Sequence, residues 1–499
     1  MYPDTYFGQL TRRTLLRGAA AGLGAAALPR MARAQSADKP KFLIVVAGAG
    51  GASIIDSFLA IRESEAGANA PSLNCFPDSE VELVTDSPFR AVRLAKSAVG
   101  AIPIPFVSDQ RPFVRKRKNE LMVTTLTGTS VNHRIAQKRA ITGNEAWNGR
   151  TLQEAVATHY GQGLPLPNVN MAIDGYAQPG IDPTTPSWAL GEAVAEPSLW
   201  PLSLDGARGI QNAPSKSRIE MARRLRDEQL DPETTFARTF ASSPRLALWR
   251  QQRAAQTGIE NLDLISKLNV FPDAPPELPL SAYGLAESPD GAKVREAFPN
   301  YQNDPFEAQA ALAFLLIKHG VSVTVTISPS FSVLLQTSSF PPAVTNPPLA
   351  FDFSHNSHRA AQGVMWSRIL GVADRLADLL ASEELADGES YWDHSMIYFA
   401  TDFGRTKQRT NGSEDFGSSH DLNNGFAFLS PLVNGGKVLG GVDPSTGLTY
   451  GFDPEDPAGV ARPGTNMSEA QIYAGIVHAL GIPTEGSGLA DMRAMRKNA

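Results

Sequence analysis

The sequence predicts an α/β fold: a mostly parallel β-sheet sandwiched by helices. Three observations predict it. Four short apolar runs have strand character, long helical patterns lie between them, and each run ends in a polar segment. Continuous apolar runs suit strands buried on both faces, and helices between them supply the crossovers that a parallel sheet needs.

The first strand is expected at Lys41–Ala47, followed by the glycine-rich turn "GAGG" and Asp56. A dinucleotide-binding turn needs glycine at its first, third and sixth positions. Counting from Gly48, the sixth position is Ser53, so the turn is a poor match for nucleotide binding. The second strand, "ELMVTTL" (Glu120–Leu126), leads into "TGTSVNH". The third, "VSVTVTI" (Val321–Ile327), follows the helical pattern "FEAQAALAFLLIKHG" at once and precedes a Pro-rich loop, Ser338–Pro348. Beyond that loop come "FDFSHNSH" and a long helix, His358–Glu384, with Met365, Ile369, Val372 and Leu376 at helical spacing. The fourth strand, "SMIYFATDF" (Ser395–Phe403), runs into "GRT" and then "GSSHDLNNG". Residues 163–305 are Pro/Gly-rich, then charged and helical, and read as an insertion or cap on one domain spanning 35–499.

The first 34 residues read as a targeting segment. "TRRTLLR" precedes a weakly apolar Ala/Gly run, and "ARA" at 32–34 offers a cleavage site, the pattern of a Tat-type signal peptide. The expected destination is the periplasm or the exterior, reached after folding, a route that suits proteins loading a metal inside the cell. The apolar run is too short for a stable span once the signal is removed. With a net charge of −6 and no basic block, the chain is not expected to bind nucleic acid. The single cysteine, Cys75, excludes an intrachain disulfide and thiolate-rich metal sites.

Functional groups of such sheets gather at the carboxyl ends of strands. Four of the eight histidines, His133, His355, His358 and His420, sit in the strand-end segments with Asp56, Asp352 and Asp402. Aspartates and histidines without cysteine suit a divalent cation such as Zn²⁺, Mn²⁺ or Mg²⁺. Such an ion acidifies a hydroxyl or water and stabilises oxyanion charge. Arg405 is a candidate clamp for an anionic group of a small ester substrate.

This ordered set resembles the alkaline phosphatase/sulfatase superfamily. More narrowly, it looks like a family of twin-arginine-exported bacterial proteins of undefined function within it. The resemblance rests on the export signal, "GG" before Asp56, "DFSHNSH", "ATDFGRT" and "GSSHDLNNGFAFLSPLVNGGKVLGGV", and it covers most of the mature chain. It implies an alkaline phosphatase-like core with a cap. It also implies Asp56, Asp352 with His355 or His358, Asp402 and His420 as metal ligands, and Thr129 or Ser130 as nucleophile. Phe403 stands where the superfamily keeps a metal-binding histidine, and the Cys/Ser-x-Pro-x-Arg signature of a sulfatase is absent. The implied function is an exported metal-dependent hydrolase or transferase of phosphate- or sulfate-ester-like substrates. The alternative is a non-catalytic periplasmic binding or assembly protein with a degenerate site.

Overall fold

The computed structural model describes residues 39–96, 106–203, 214–250 except 248, 264–329 except 275, 278 and 284, 333–334, 344–345, and 350–497 except 410, 411, 414 and 415. The expected signal peptide, residues 1–34, lies outside the described residues, as does most of the loop expected at 338–348. The chain divides into two compact units. Among the described residues, one comprises those within 38–162, 166–197 and 295–499; the other comprises those within 198–294 with 163–165.

The larger unit is built on an eight-stranded sheet. In chain order its strands are β1 Phe42–Gly48, β2 Leu121–Thr127, β3 Asn168–Asn170, β4 Glu192–Ala193, β5 Thr324–Ile327, β6 Ser395–Thr401, β7 Asn423–Leu429 and β8 Lys437–Leu439. Their spatial order is β8-β2-β7-β6-β1-β5-β3-β4. All pairings are parallel except those of β7 with β6 and with β2. Every residue of β1, β6 and β7 is buried. Successive side chains of a strand point to opposite faces, so both faces of the sheet centre are covered.

The four strands expected from sequence are β1, β2, β5 and β6. Two others fall inside the stretch expected to be an insertion: β3 and β4 extend the sheet edge, so only 198–294 separates as a second unit. Their shortness, three residues and two, left them hidden among Pro and Gly.

Five helices of this unit matter for the site. They are α1 His133–Thr142, α2 Leu152–Tyr160, α3 Pro305–Lys318, α4 His358–Ala381 and α5 Glu469–Ala479. α3 shows how its sequence starts a helix. Pro305 takes the first turn, where its missing N–H is not needed, and the Asp304 carboxylate caps the amides of Phe306 and Glu307. Every residue from Phe306 to Ile317 is buried, and α3 packs on α4. α1, α2 and α5 pack on one another.

Topology brings the polar segments to one edge. Gly48, ending β1, pairs with Thr401, ending β6. Because β7 runs antiparallel, its first residue, Asn423, pairs with Thr127, the last of β2. The residues just before β7 therefore join the carboxyl ends of the parallel strands.

Candidate metal centre

The glycine turn after β1 sets the first part of the site. Gly50 and Gly51 have φ of +98° and +80°, a region that favours glycine. A Cβ at Gly50 would lie 2.5 Å from the Asp352 amide nitrogen, and one at Gly51 would lie 2.7 Å from Arg405 Nε. The turn exists to let these groups pass. Its amides point at the Asp402 carboxylate: Gly51 N–H donates to Oδ1 at 2.6 Å and Gly50 N–H to Oδ2 at 3.0 Å.

Asp402 follows β6 directly, and its side chain is fully buried. Oδ2 also lies 2.8 Å from Nδ1 of His133, the first residue of α1. With Nδ1 held this way, Nε2 of His133 faces Asp352 Oδ1 at 3.3 Å. His420 is held in the same manner. Its Nδ1 lies 2.8 Å from the Val131 carbonyl, which fixes the tautomer by accepting a hydrogen bond from Nδ1–H, and its Nε2 is turned to Asp352 Oδ1 at 3.8 Å. Its ring stacks on Phe403, with centroids 4.0 Å apart.

His133, Asp352 and His420 thus bring one ligand atom each within 4.8 Å of one another and form a candidate metal site. Their side chains are 25%, 31% and 22% exposed, open enough for an ion or substrate to reach. His355 joins the rim, with Nε2 2.9 Å from His420 Nε2 and 3.2 Å from Asp352 Oδ1.

The electrostatics follow. Burial disfavours the charged form of His133, but hydrogen bonds to Asp352 and Asp402 outweigh it and raise its pKa to about 9. Burial would likewise raise Asp352, but His133, His420 and Arg405 hold its carboxyl far below the usual range. Burial, with the Arg405 charge adding to it, lowers His355.

Arg405 is not the substrate clamp expected from sequence. Its side chain is fully buried. Nε donates to the Gly50 carbonyl at 3.1 Å, Nη1 to the Ser418 carbonyl at 3.2 Å and Nη2 to Asp352 Oδ1 at 2.8 Å. It ties three loops together and aims Asp352. Its neighbour across a two-residue antiparallel ribbon is His420.

Asp402 also departs from its expected role. Both its oxygens are taken up by backbone amides and by His133, so in this arrangement it orients His133.

Asp56 and His358 lie in a separate cluster. Their side chains are 1% and 0% exposed, with His358 Nε2 3.0 Å from Asp56 Oδ2. Asn74 Nδ2 donates to both carboxylate oxygens at 3.2 and 3.1 Å, and Ser418 Oγ lies 2.8 Å from His358 Nδ1. Asp56 and His358 are paired in the interior, while Asn74 Oδ1 is buried without a hydrogen-bond partner among the described residues. Burial would raise Asp56, but the charge of His358 and its hydrogen bond lower it to about 2.

Thr129 and Ser130 do not turn their hydroxyls to the triad. Thr129 Oγ1 sits 2.8 Å from Glu469 Oε2 at the start of α5 and 2.9 Å from Arg139 Nη1. Ser130 Oγ accepts the Asn132 amide and so braces the start of α1. Their expected role as nucleophile has no support in this arrangement.

The structure brings together Asp352, His355 and His420, all named from the sequence, and adds His133, which the sequence reading did not name as a ligand. The available signal was its position: the first histidine after a strand end, behind Asn132, whose side chain caps the helix that His133 opens.

No protein-family model matches the chain, and no curated protein matches its sequence.

Proposed function

We propose that the chain is an exported, metal-dependent hydrolase of phosphate- or sulfate-ester-like substrates on an alkaline phosphatase-like core, with His133, Asp352 and His420 holding the ion. One observation carries the reading. Two imidazoles have their Nδ1 positions committed to Asp402 and to the Val131 carbonyl, leaving both Nε2 atoms directed at one carboxylate. Metal-binding histidines are oriented by this kind of outer partner.

The donor set fits a divalent ion. Bonds of about 2.0–2.1 Å to a tetrahedral ion put ligand atoms roughly 3.3 Å apart. His133 Nε2 and His420 Nε2 stand 3.3 and 3.8 Å from Asp352 Oδ1. Two nitrogens and one oxygen favour Zn²⁺ or Mn²⁺ over Mg²⁺, which prefers an all-oxygen shell.

When bound, such an ion supplies Lewis-acid polarisation of an ester oxygen and acidifies water. The protein does the rest. Asp402 and Val131 keep the histidine tautomers, Arg405 keeps Asp352 in place, and the half-exposed His355 can take or return a proton at Nε2. No hydroxyl side chain is needed as nucleophile, so water is the attacking group and the reaction class is hydrolysis. The Tat-type signal read from residues 1–34 supports export.

The engagement of Thr129 and Ser130 elsewhere favours a second reading, a binding protein with a degenerate phosphatase-like site. Metal analysis of mature protein purified without chelator, beside a His133→Ala/His420→Ala variant, tests the first. Near-stoichiometric zinc or manganese lost in the variant, with metal-dependent turnover of aryl phosphates or sulfates, supports it. Metal without turnover supports the second reading. No metal in either form sinks the hydrolase reading and leaves the binding reading standing.

A further inference from the structure

The smaller unit carries exposed apolar side chains in a basic setting. Residues 216–250 hold eight Lys/Arg against five Asp/Glu, a net of +3, while the rest of the chain sums to −9. They form a helix, Lys216–Leu225, a π turn, Arg226–Leu230, and two short helical segments, Asp231–Glu233 and Thr235–Thr239. Met221, Leu225, Leu230, Phe236, Phe240 and Trp249 are each between 45% and 60% exposed. Six such side chains within 35 residues are more than the isolated surface apolar residues usual in a soluble protein.

Their arrangement is specific. Met221 and Leu225 stand one turn apart on a face that also carries Arg218. Phe236 lies 5.1 Å from Phe240 and 6.4 Å from Trp249 between ring centroids, so the three aromatics form one exposed patch. Arg238, Arg245 and Arg250 interleave with them in sequence and are exposed.

We propose that residues 216–250 are a docking surface for an anionic phospholipid bilayer. Aromatic and leucine side chains bounded by arginine are what settles at the boundary of headgroups and acyl chains. Guanidinium forks match lipid phosphates, and a negative surface attracts this segment while it repels the acidic remainder of the chain. The surface would place the protein against a membrane without a spanning helix; among the described residues no helix is long and apolar enough to cross one.

Co-sedimentation of the full mature chain with vesicles tests this. One set is phosphatidylcholine alone; the other contains about one third phosphatidylglycerol. The expected result is binding to the second set only, weakened by raising salt to about 0.5 M. Arg218→Glu/Arg224→Glu should weaken it by at least about tenfold, and Phe236→Ser/Phe240→Ser/Trp249→Ser should abolish it. Two results would overturn the proposal: no sedimentation with anionic vesicles, or sedimentation unchanged in both variants. A dimer seen by light scattering and lost in the aromatic variant would also overturn it, by assigning the patch to a second copy of the chain.

Discussion

Two clusters of histidine and carboxylate lie in the larger unit, made of the same residue types and treated differently by the fold. In one, His133, Asp352 and His420 are a fifth to a third exposed, and their Nε2 and Oδ1 atoms converge. In the other, Asp56 and His358 are buried, and Asn74 and Ser418 satisfy them. The first is open to a ligand from outside; the second is closed to solvent. Composition cannot separate them; burial and hydrogen-bond direction do.

The strongest way to break the comparison is to remove one member of the buried pair. His358→Ala leaves the Asp56 carboxylate in the interior without its counter-charge, and such losses cost about 3–5 kcal/mol. Urea unfolding should report this, while metal content per folded chain stays at the wild-type value. Loss of metal with stability retained would mean that His358 is a ligand and that the two clusters are one site.

The open cluster should show the reverse. His420→Ala should leave apo-protein stability within about 1 kcal/mol, since the side chain is partly exposed. It should weaken zinc binding, measured in a chelator-buffered titration, by more than about 100-fold. Asp402→Asn sharpens the contrast by touching no ligand atom directly. It removes the charge that orients His133, and outer partners of this kind are worth about 10–100-fold in affinity.

Acid separates the clusters on a smaller scale. Asp56 has a folded pKa of about 2, below its unfolded value near 4, so the unfolded state takes up its proton first as pH falls. The stabilisation is fully present above about pH 4 and is lost as pH drops through 2. It amounts to about 2 kcal/mol. The stability gap between wild type and Asp56→Asn should therefore narrow between pH 5 and pH 3 by a measurable part of that amount. A gap independent of pH would mean that the Asp56 carboxylate is not selectively stabilised by folding.

Much of the sheet was legible because its inner strands are buried on both faces: β1, β2, β5 and β6 announce themselves as runs of apolar and β-branched residues. β7 does not, since "NNGFAFL" opens on two asparagines and a glycine that read as loop. Those asparagines have work at the edge: Asn424 Oδ1 accepts the Ile54 amide, and its Nδ2 donates to the Ala52 and Phe403 carbonyls. With β7 unseen, its antiparallel return was unseen too, and that return carries His420 to the other strand ends. His355 and His358 show the limit at the site itself. Three residues apart, they differ in destination because His355 ends a short 3-10 turn while His358 opens α4 and turns inward, a distinction that depends on packing.

The smallest expected effect bears on how the open cluster works. If a side-chain hydroxyl attacked the substrate, removing it would cost several orders of magnitude in rate, because covalent catalysis fails without its nucleophile. Thr129 instead spends its hydroxyl on Glu469 and Arg139, and Ser130 braces the turn that delivers His133. Thr129→Ala and Ser130→Ala should each lower ester hydrolysis by less than about tenfold and leave metal content unchanged, an effect of local positioning. A fall of about a thousandfold or more in kcat for either variant, with metal still bound, would restore that hydroxyl as nucleophile. It would also mean that the loop after β2 rearranges when substrate arrives, since Thr129 or Ser130 would have to leave its present partners to reach the triad.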